Sequence, residues 1–321
     1  MDKQNIIGID ISKQSFDVFD HNAKHQVYTQ DLDAFKKFLK AIPKYSICVM
    51  EATGIYHLQL ANFLYANNIR VAVINPLRIK RFIQMHLKRN KTDKSDATMI
   101  RLYGIKQDME LYKPIDPDLQ QSKDNYQTME QFINIRASLK NKLEELSCKK
   151  SDSKLIQVVD SQISNLTDAI QGLEMEITTL INKSHAQLLS NLKSIAGIGA
   201  RTATILIISS DAFNHFDSAK QLSSFYGLAP SERSSGTSLN AKSTISKKGN
   251  PLVRKKLYMC SLQASIHNPA CRDLYQRLIA KNKSKKLALI AVANKLLHIV
   301  YAVAKSNIPY DPEYVSYRKV A

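Results

Sequence analysis

Two carboxylates three residues apart, Asp93 and Asp96, lie in a strongly basic segment. On a helix this spacing puts both acids on one face, about 5–6 Å apart. Two like charges held that close are costly unless cations share the site. The neighbouring cations are Lys88, Arg89, Lys91, Lys94 and Arg101. These bases could offset the acids, and so could a divalent metal ion. We predict that the pair completes a metal site whose other ligands lie upstream.

Two further acids stand near the ends of predicted strands. Asp10 lies near the end of the apolar run 6–11, and Glu51 directly follows the apolar run 45–50. Ligands of mixed α/β sheets collect at the carboxyl ends of central strands, so neighbouring strands would bring these acids together. Four carboxylates suit one or two Mg²⁺ ions, with Mn²⁺ as the alternative, as used for in-line phosphoryl transfer.

Each acid also has a simpler interpretation. Asp10 alone would be a strand-end turn residue, and Asp93 with Asp96 would be a solvated helix start. The segment GIDIS at 8–12 also fits the first phosphate loop of an actin-like ATPase or sugar kinase. That class needs a later glycine-rich phosphate-binding turn, and the 9 glycines of the chain form no such cluster. We therefore favour the metal site and expect no ATP.

The elements predicted around these acids form a mixed α/β domain. An early hairpin followed by alternating helix and strand is typical of a mixed sheet covered by helices. The predicted strands are 6–11, 16–19, 25–29, 45–50 and 70–74, and the predicted helices are 31–41 and about 55–66, with a break at Asn75-Pro76.

Composition favours a folded protein with a polyanionic partner. The 321 residues carry 46 Lys and Arg against 28 Asp and Glu, a net charge of +18. Such an excess favours DNA or RNA as the partner, the alternative being a protein that is merely basic. The four cysteines lack metal-ligand spacing, and neither a signal peptide nor a membrane-length apolar run is evident. We expect a cytoplasmic protein with no membrane association.

The middle of the chain predicts a helical hairpin. An apolar seven-residue repeat typical of a coiled coil follows a polar break at 147–153. Its members are Val159, Ile163, Leu166, Ile170, Leu173, Ile177 and Leu180. A similar spacing before the break, interrupted at Arg136, supplies the other arm. The hairpin is either an intramolecular spacer or the arm of a homodimer or homotetramer.

The last third contains two candidate nucleic-acid elements. Gly197-Ile198-Gly199 opens a helix as in a helix-hairpin-helix element, whose backbone N–H groups can hold a phosphate, or it is a tight turn between packed helices. The stretch 226–256 surrounds a Ser-Ser-Gly turn with cations, which could activate a serine hydroxyl or grip a nucleic-acid backbone. These cations are Arg233, Lys242, Lys247, Lys248 and Arg254.

Seven motifs in order resemble the IS110/IS1111 family of insertion-sequence transposases, which includes the Piv-type DNA invertases. GIDISK at 8–13, MEATGIYH at 50–57, INPLRIKRF at 74–82 and KTDKSDA at 91–97 are similar to its RuvC-like DEDD domain. LKSIAGIGARTA at 192–203, FYGLAPSERSSG at 225–236 and SKKGNPLVRKKLY at 246–258 are similar to its C-terminal transposase domain. The residues Thr237-Ser238 depart from the more basic or glycine-containing sequence expected there.

The resemblance implies an RNase H-like fold in which Asp10, Glu51, Asp93 and Asp96 hold Mg²⁺. It also implies that a serine of the Ser-Ser-Gly turn is a DNA nucleophile. Ser234 is favoured because the second serine position of this turn varies in the family pattern. Ser235 is the alternative. Strand exchange would pass through a phosphoserine, and a structured non-coding RNA would guide the protein to double-stranded donor and target DNA. The basic set expected to contact nucleic acid adds Arg78, Lys80, Arg81, Lys88, Arg89 and Lys91.

The predicted organisation is a RuvC-like catalytic domain at 1–110, a coiled-coil oligomerisation hairpin at 111–188 and a mostly helical C-terminal domain at 189–321. The function predicted is that of a DNA transposase or recombinase. One rival is a RuvC-type Holliday-junction endonuclease that uses water as the nucleophile. The other is a non-catalytic nucleic-acid-binding scaffold.

Overall fold

The computed structural model describes residues 5–20, 22, 24–86, 93–231, 234–235, 239–240 and 244–313. The chain divides into two compact units, Met1–Pro114 and Ile115–Ala321. The first unit holds a sheet with helices, and the second unit is mostly helical. The division into three domains at 110 and 188 stays a prediction.

The first unit is built on five strands. They are β1 (Ile6–Ile11), β2 (Ser15–Phe19), β3 (His25–Thr29), β4 (Ile47–Glu51) and β5 (Arg70–Ile74). Their order in the sheet is β3-β2-β1-β4-β5. The hairpin strands β2 and β3 are antiparallel, while β1, β4 and β5 run parallel. The mixed α/β sheet predicted from the sequence is confirmed, with the hairpin at one edge and the crossover strands in the centre and at the other edge.

Helices cover both faces of this sheet. They are α1 (Leu32–Ala41), α2 (His57–Ala66), α3 (Pro76–Met85) and α4 (Asp93–Lys106). Phe35 and Phe38 of α1 pack with Leu60 of α2 on the side chains that point from β1 to one face. Phe82 of α3 and Met99 of α4 pack on the other face. Alternate residues of β1 therefore enter two different cores, as expected for a buried central strand.

Local capping chemistry explains where two helices begin. The Asp31 side chain accepts a hydrogen bond from the Ala34 N–H and caps α1. Asn75 accepts from the Leu77 N–H, and Pro76 occupies the first turn of α3, where a missing N–H costs nothing. The dipeptide that predicted only a break is therefore also the start of a helix.

The second unit begins with two long antiparallel helices, α5 (Pro117–Cys148) and α6 (Ser153–Lys193). Pairing near their outer ends, as in Lys183 Nζ to Asp118 Oδ2 at 2.9 Å, shows the antiparallel arrangement. Ile163, Ile170 and Ile177, one heptad apart, are buried on α6. The cation that interrupts the apolar stripe of α5, Arg136, donates to Thr167 Oγ1 across the hairpin at 3.2 Å.

Shorter helices and a small hairpin complete this unit. The helices are α7 (Ala200–Ser209), α8 (Ala219–Phe225), α9 (Pro251–His267), α10 (Pro269–Ala280) and α11 (Lys285–Ser306). The short strands are β6 (Pro230–Ser231), β7 (Ser234–Ser235), β8 (Leu239–Asn240) and β9 (Thr244–Ile245). By length and composition α11 could cross a membrane. Its apolar residues, such as Val292, Leu296 and Val300, instead lie in the core of this unit.

Candidate active site

The strand register brings Asp10 and Glu51 to the same edge of the sheet. β1 and β4 are parallel neighbours in which Ile9 lies beside Met50. Continuing that register by one residue pairs Asp10 with Glu51, and adjacent strands lie about 4.8 Å apart. Both side chains belong to the face that carries Val49, because alternate residues share a face. Both acids are half-buried. The convergence expected for these two carboxylates is thus built into the backbone.

Helix α4 packs directly on β1 through a glycine. A Cβ added at Gly8 would lie 2.2 Å from the carbonyl oxygen of Ala97 and 2.5 Å from the backbone nitrogen of Arg101. No residue with a side chain fits there unless the helix shifts. Arg101 also donates from Nε to the carbonyl oxygen of Ile6 at 2.9 Å. Arg101, which the sequence grouped with the cations around the acids, therefore joins α4 to β1.

These contacts define the direction in which α4 runs. Ala97 and the Arg101 backbone lie at Gly8, whereas a Cβ at Gly104, farther along the helix, would lie 2.9 Å from the Ile6 side chain, so the helix runs antiparallel to the strand. A further four residues of helix rise about 6 Å. Two further residues of strand rise about 6.6 Å. The first turn of α4, with Asp93 and Asp96, therefore reaches the level of Asp10.

The structure does not describe the side chains of all four acids that were predicted to bind the metal ion. Asp96 is half-buried and accepts a hydrogen bond from Ser95 Oγ at 3.4 Å. The Asp93 side chain lies outside the described part of the chain, as do Lys88, Arg89 and Lys91. Among the residues that the structure describes, no group of three or more His, Cys, Asp or Glu side chains is close enough to hold a metal ion.

A fifth acid, which the sequence did not single out, shares this face. Asp17 of β2 lies directly across from Asp10 in the antiparallel register. His25 of β3 donates from Nε2 to Asp17 Oδ1 at 2.6 Å, and both side chains are largely buried. The alternation of polar and apolar residues in the segment SFDVF could have revealed Asp17, but the partnership requires the hairpin register.

The segment after Glu51 is a tight loop that leads into α2. The Thr53 N–H donates to the Glu51 carbonyl at 2.8 Å, and Gln30 Nε2 donates to the Tyr56 carbonyl at 3.0 Å. His57 begins the helix in a buried position, and burial lowers the pKa of His57. This loop thus joins the end of β4 to a buried histidine at the start of α2.

In the second unit, Ser234 and Ser235 belong to a small hairpin whose base is closed by backbone contacts. Pro230 pairs with Ile245, and farther out Ser234 pairs with Asn240 and Ser235 with Leu239. Two glycines close the base. A Cβ at Gly227 would lie 2.3 Å from the Lys248 carbonyl oxygen, and one at Gly249 would lie 2.1 Å from that of Phe225. Both glycines have positive φ, which disfavours any other residue.

A buried tyrosine supports this base from below. Tyr226 is fully buried, its hydroxyl lies 2.6 Å from Ser209 Oγ, and burial raises its pKa to about 12. Arg254 donates from Nη1 to the Tyr226 carbonyl at 3.0 Å. Arg254, predicted as a nucleic-acid contact, therefore also has a structural bond. The role of Tyr226 was missed because an aromatic within a motif does not disclose its burial.

The other predicted nucleic-acid contacts are distributed over both units. Arg78, Lys80 and Arg81 are exposed on α3, and Lys247 and Lys248 are exposed beside the hairpin. Gly197, with φ of +101°, packs against Ala264 of α9, whereas Gly199 is exposed at the N-cap of α7. Arg233 and Lys242 fall outside the described residues, as does Gly236. These contacts stay predictions.

Two family models match the chain. A transposase model, the DEDD domain of IS110 elements, matches residues 7–146, and the model "Transposase IS116/IS110/IS902 family" matches residues 189–276. A pilin gene-inverting protein of Moraxella bovis is 32% identical over 95% of this chain and 97% of its own length. The transposase for insertion sequence element IS1111A of Coxiella burnetii is 24% identical over 95% of this chain and 91% of its own length.

The chain belongs to the IS110 family of transposases. The resemblance drawn from the seven motifs is confirmed, and this IS110-family protein is an enzyme of the transposase/recombinase class. The DEDD match contains all four predicted acids, and the second match contains the serine hairpin. A DEDD domain implies a divalent metal in general. The oxygen donors at the sheet edge fit such an ion, because hard cations prefer carboxylates.

Proposed function

We propose that this IS110-family transposase cleaves and exchanges DNA strands with Mg²⁺ and a serine nucleophile. The observation that supports the proposal is the register that aligns Asp10 with Glu51, while the packing of α4 on Gly8 directs the start of that helix toward the same edge. The ends of two central strands and the start of one helix thereby lie toward a single edge of the sheet. Such a site suits in-line phosphoryl transfer.

Asp10, Glu51, Asp93 and Asp96 would hold one or two Mg²⁺ ions, with Mn²⁺ as the alternative. The bound ion supplies polarisation of the scissile phosphate and neutralisation of its charge. The protein contributes the alignment. Acids carried by two strand ends and a packed helix start are held in place before the substrate arrives, and this costs no reorganisation during the reaction.

The serine step conserves the phosphodiester bond energy. Ser234 Oγ, with Ser235 as the alternative, attacks the phosphorus: a P–Oγ bond forms, the P–O3′ bond breaks, and the serine proton is transferred to the departing 3′-oxygen. A 3′-hydroxyl of the other duplex then attacks the phosphoserine, which restores the serine and joins the new strand. No ATP is required, and no free double-strand break forms.

Two surfaces are proposed to bind nucleic acid. A cavity of about 430 Å³ beside α3 is lined by Arg78 and Arg81, with Phe82 and Tyr103 at its floor. The Arg78 guanidinium lies 5.6 Å over the Tyr103 ring. Cations above an aromatic floor suit a strand whose phosphates bind arginine. The second surface is the exposed pair Lys247 and Lys248 beside the serine hairpin.

Guidance by a structured non-coding RNA is proposed from the family resemblance and the net charge of +18. We further propose that the α5–α6 hairpin is a coiled coil through which a homodimer or homotetramer forms, and that α7 with its preceding turn is a helix-hairpin-helix element. Transposition of an insertion sequence in the cytoplasm is the resulting function.

Ser234→Ala separates this function from a RuvC-type nuclease that uses water. A serine recombinase loses both strand exchange and the covalent protein–DNA adduct, which denaturing gels of a radiolabelled donor duplex detect. A nuclease keeps cutting. Ser235→Ala is tested in parallel to choose between the serines. The matched control is Ser265→Ala on α9, whose hydroxyl bonds only within its helix. Retained adduct in both hairpin variants would refute the serine mechanism.

A further inference from the structure

The hydrogen-bonded pair of Asp17 and His25 connects the hairpin strands to the candidate active site. His25 Nε2 and Asp17 Oδ1 are 2.6 Å apart, and the two side chains are 24% and 13% exposed. Asp17 lies across from Asp10 on the adjacent strand, and His25 lies across from Phe19. All three side chains thus project from one face of the sheet, in the order Asp10, Asp17, His25.

The distance between the two acids follows from strand geometry. Directly opposed residues of an antiparallel pair have Cβ atoms about 4.5–5.5 Å apart. A carboxylate on Asp17 is therefore a close neighbour of Asp10, and like charges directly opposed destabilise a sheet. An arrangement of this kind needs a compensating group. His25 supplies one for Asp17 by donating a hydrogen bond to Oδ1.

Fold stability alone gives little reason for this arrangement. β2 and β3 are already joined through five successive register pairs from Ser15–Thr29 to Phe19–His25. An apolar residue at position 17 would satisfy the same sheet without placing a second negative charge beside Asp10. The second His–Asp pair of the chain offers a contrast, since His215 and Asp211 are four residues apart in sequence and His215 is 56% exposed.

We propose that Asp17, held by His25, is a positioning residue for the metal-binding edge of the sheet. This inference rests on the proposed function. One carboxylate oxygen of Asp17 accepts from His25, which leaves Oδ2 to accept from water in the hydration shell of an ion at Asp10. Mg²⁺ retains several of its waters in protein sites, so outer carboxylates of this kind orient the ion without binding it directly.

The three side chains have distinct roles. Asp10 binds the ion, Asp17 orients the hydration shell, and His25 fixes the rotamer of Asp17. Asp17→Asn keeps the shape but removes the charge and one acceptor. His25→Gln can still donate one hydrogen bond, whereas His25→Leu cannot. The affinity for the ion should therefore fall in Asp17→Asn and His25→Leu and be largely retained in His25→Gln.

The test is a Mn²⁺ titration of the purified full-length protein, read by the electron paramagnetic resonance of free Mn²⁺, without DNA. We expect Asp17→Asn to weaken binding by about 10–100-fold, the usual effect of losing an outer-shell partner. His25→Leu should give a smaller loss in the same direction. The matched control Asp211→Asn removes the acid of the other His–Asp pair and should leave the titration unchanged. Circular dichroism melts verify that each variant is folded.

The reference variant Asp10→Ala distinguishes two kinds of failure. If Asp10→Ala abolishes Mn²⁺ binding while Asp17→Asn and His25→Leu bind as the wild type does, the Asp17–His25 pair is structural only and the inference is wrong. If Asp10→Ala also binds normally, the proposed metal site itself is wrong. Should Asp17→Asn unfold, the Mn²⁺ affinities of His25→Leu and His25→Gln decide the question. Equal affinities in the two variants overturn the inference. A lower affinity in His25→Leu alone supports it.

Discussion

The acidic edge of the first unit and the serine hairpin of the second unit are positioned in different ways. Asp10 lies near the end of β1 and Glu51 ends β4, and both strands are buried on both faces, so the spacing of these acids is that of the sheet itself. Ser234 and Ser235 lie in a two-residue strand beyond a base closed by Gly227 and Gly249. In the proposed function, acids that share an ion need fixed separations, whereas a serine nucleophile must approach a phosphate. The difference in architecture suits these two proposed roles.

The largest expected effect is on chemistry at the acidic edge. Asp10→Ala or Glu51→Ala should reduce strand cleavage to background, because each would remove one of the proposed oxygen ligands of the ion. Nucleic-acid affinity should change little, since it depends on lysines and arginines elsewhere. Cleavage assays and fluorescence anisotropy with the same duplex measure the two quantities.

A matched control is Asp33→Ala on α1, an exposed acid in a first helical turn. It should retain cleavage. If Asp10→Ala and Glu51→Ala both keep cleavage and recombination at the wild-type level, the two acids are strand-end residues without a catalytic role. The acidic edge would then not be the active site.

The next largest effect is on stability, at the glycines that allow close backbone packing in each of the two regions. Gly8→Ala should destabilise the first unit by about 3 kcal/mol or unfold it, because its Cβ meets backbone atoms of α4 that cannot rotate away. Gly249→Ala should cost a similar amount in clash and backbone strain, but only where the hairpin joins the second unit. Urea denaturation followed by circular dichroism measures both.

Gly172→Ala is the control, because a Cβ on that helical glycine meets nothing within 4 Å. Alanine should stabilise α6 there by up to about 1 kcal/mol. The loss in Gly249→Ala should also appear as faster proteolysis within 227–249, while Gly8→Ala should not change that cleavage. A normal melt for Gly8→Ala would mean that α4 is not seated on β1 through that glycine.

A smaller effect concerns the two arginines that bond to backbone carbonyls. Arg101→Met should cost about 1–3 kcal/mol by leaving the Ile6 carbonyl without its charged donor. Arg254→Met should cost a similar amount at the Tyr226 carbonyl. Because Arg254 was also predicted to contact nucleic acid, its variant should be measured at two salt concentrations. Weaker nucleic-acid binding without a lower melting temperature would mean that Arg254 contacts nucleic acid but does not stabilise the fold.

Much of the first unit could be predicted from the sequence. Apolar runs that end in acids gave β1 and β4 with Asp10 and Glu51 at one edge, since period and burial are local properties. The contacts of Gly8 could not be predicted, because a tertiary approach of α4 decides them. The partnership of Asp17 with His25 required the register of a hairpin. Arg101 was grouped with the cations that could offset Asp93 and Asp96, and only the packing of α4 reveals its hydrogen bond to the Ile6 carbonyl.

In the second unit, the seven-residue repeat predicted α6, and Ile163, Ile170 and Ile177 are buried along it. Motif glycines were harder to interpret. Gly197 was read either as part of a phosphate-binding turn or as a tight turn between packed helices, and a Cβ at Gly197 would meet Ala264 of α9. Gly227 and Gly249 were read only as parts of motifs, and their backbone contacts join residues 225–227 to residues 248–249. A glycine that serves close packing and one that serves a ligand look the same in sequence.

The smallest expected effect tests whether the α3 cavity belongs with the acidic edge. Arg78→Gln and Arg81→Gln should each weaken DNA or RNA binding modestly and lower the slope of log affinity against log salt by about 1, the mark of one lost phosphate contact. Lys44→Gln, an exposed cation preceding β4, should leave the slope unchanged. A loss of affinity at constant slope would mean that the arginines stack on bases over Phe82 and Tyr103. If both variants keep the wild-type slope and affinity, this cavity does not bind nucleic acid. Another surface must then bind the strand that reaches the acidic edge.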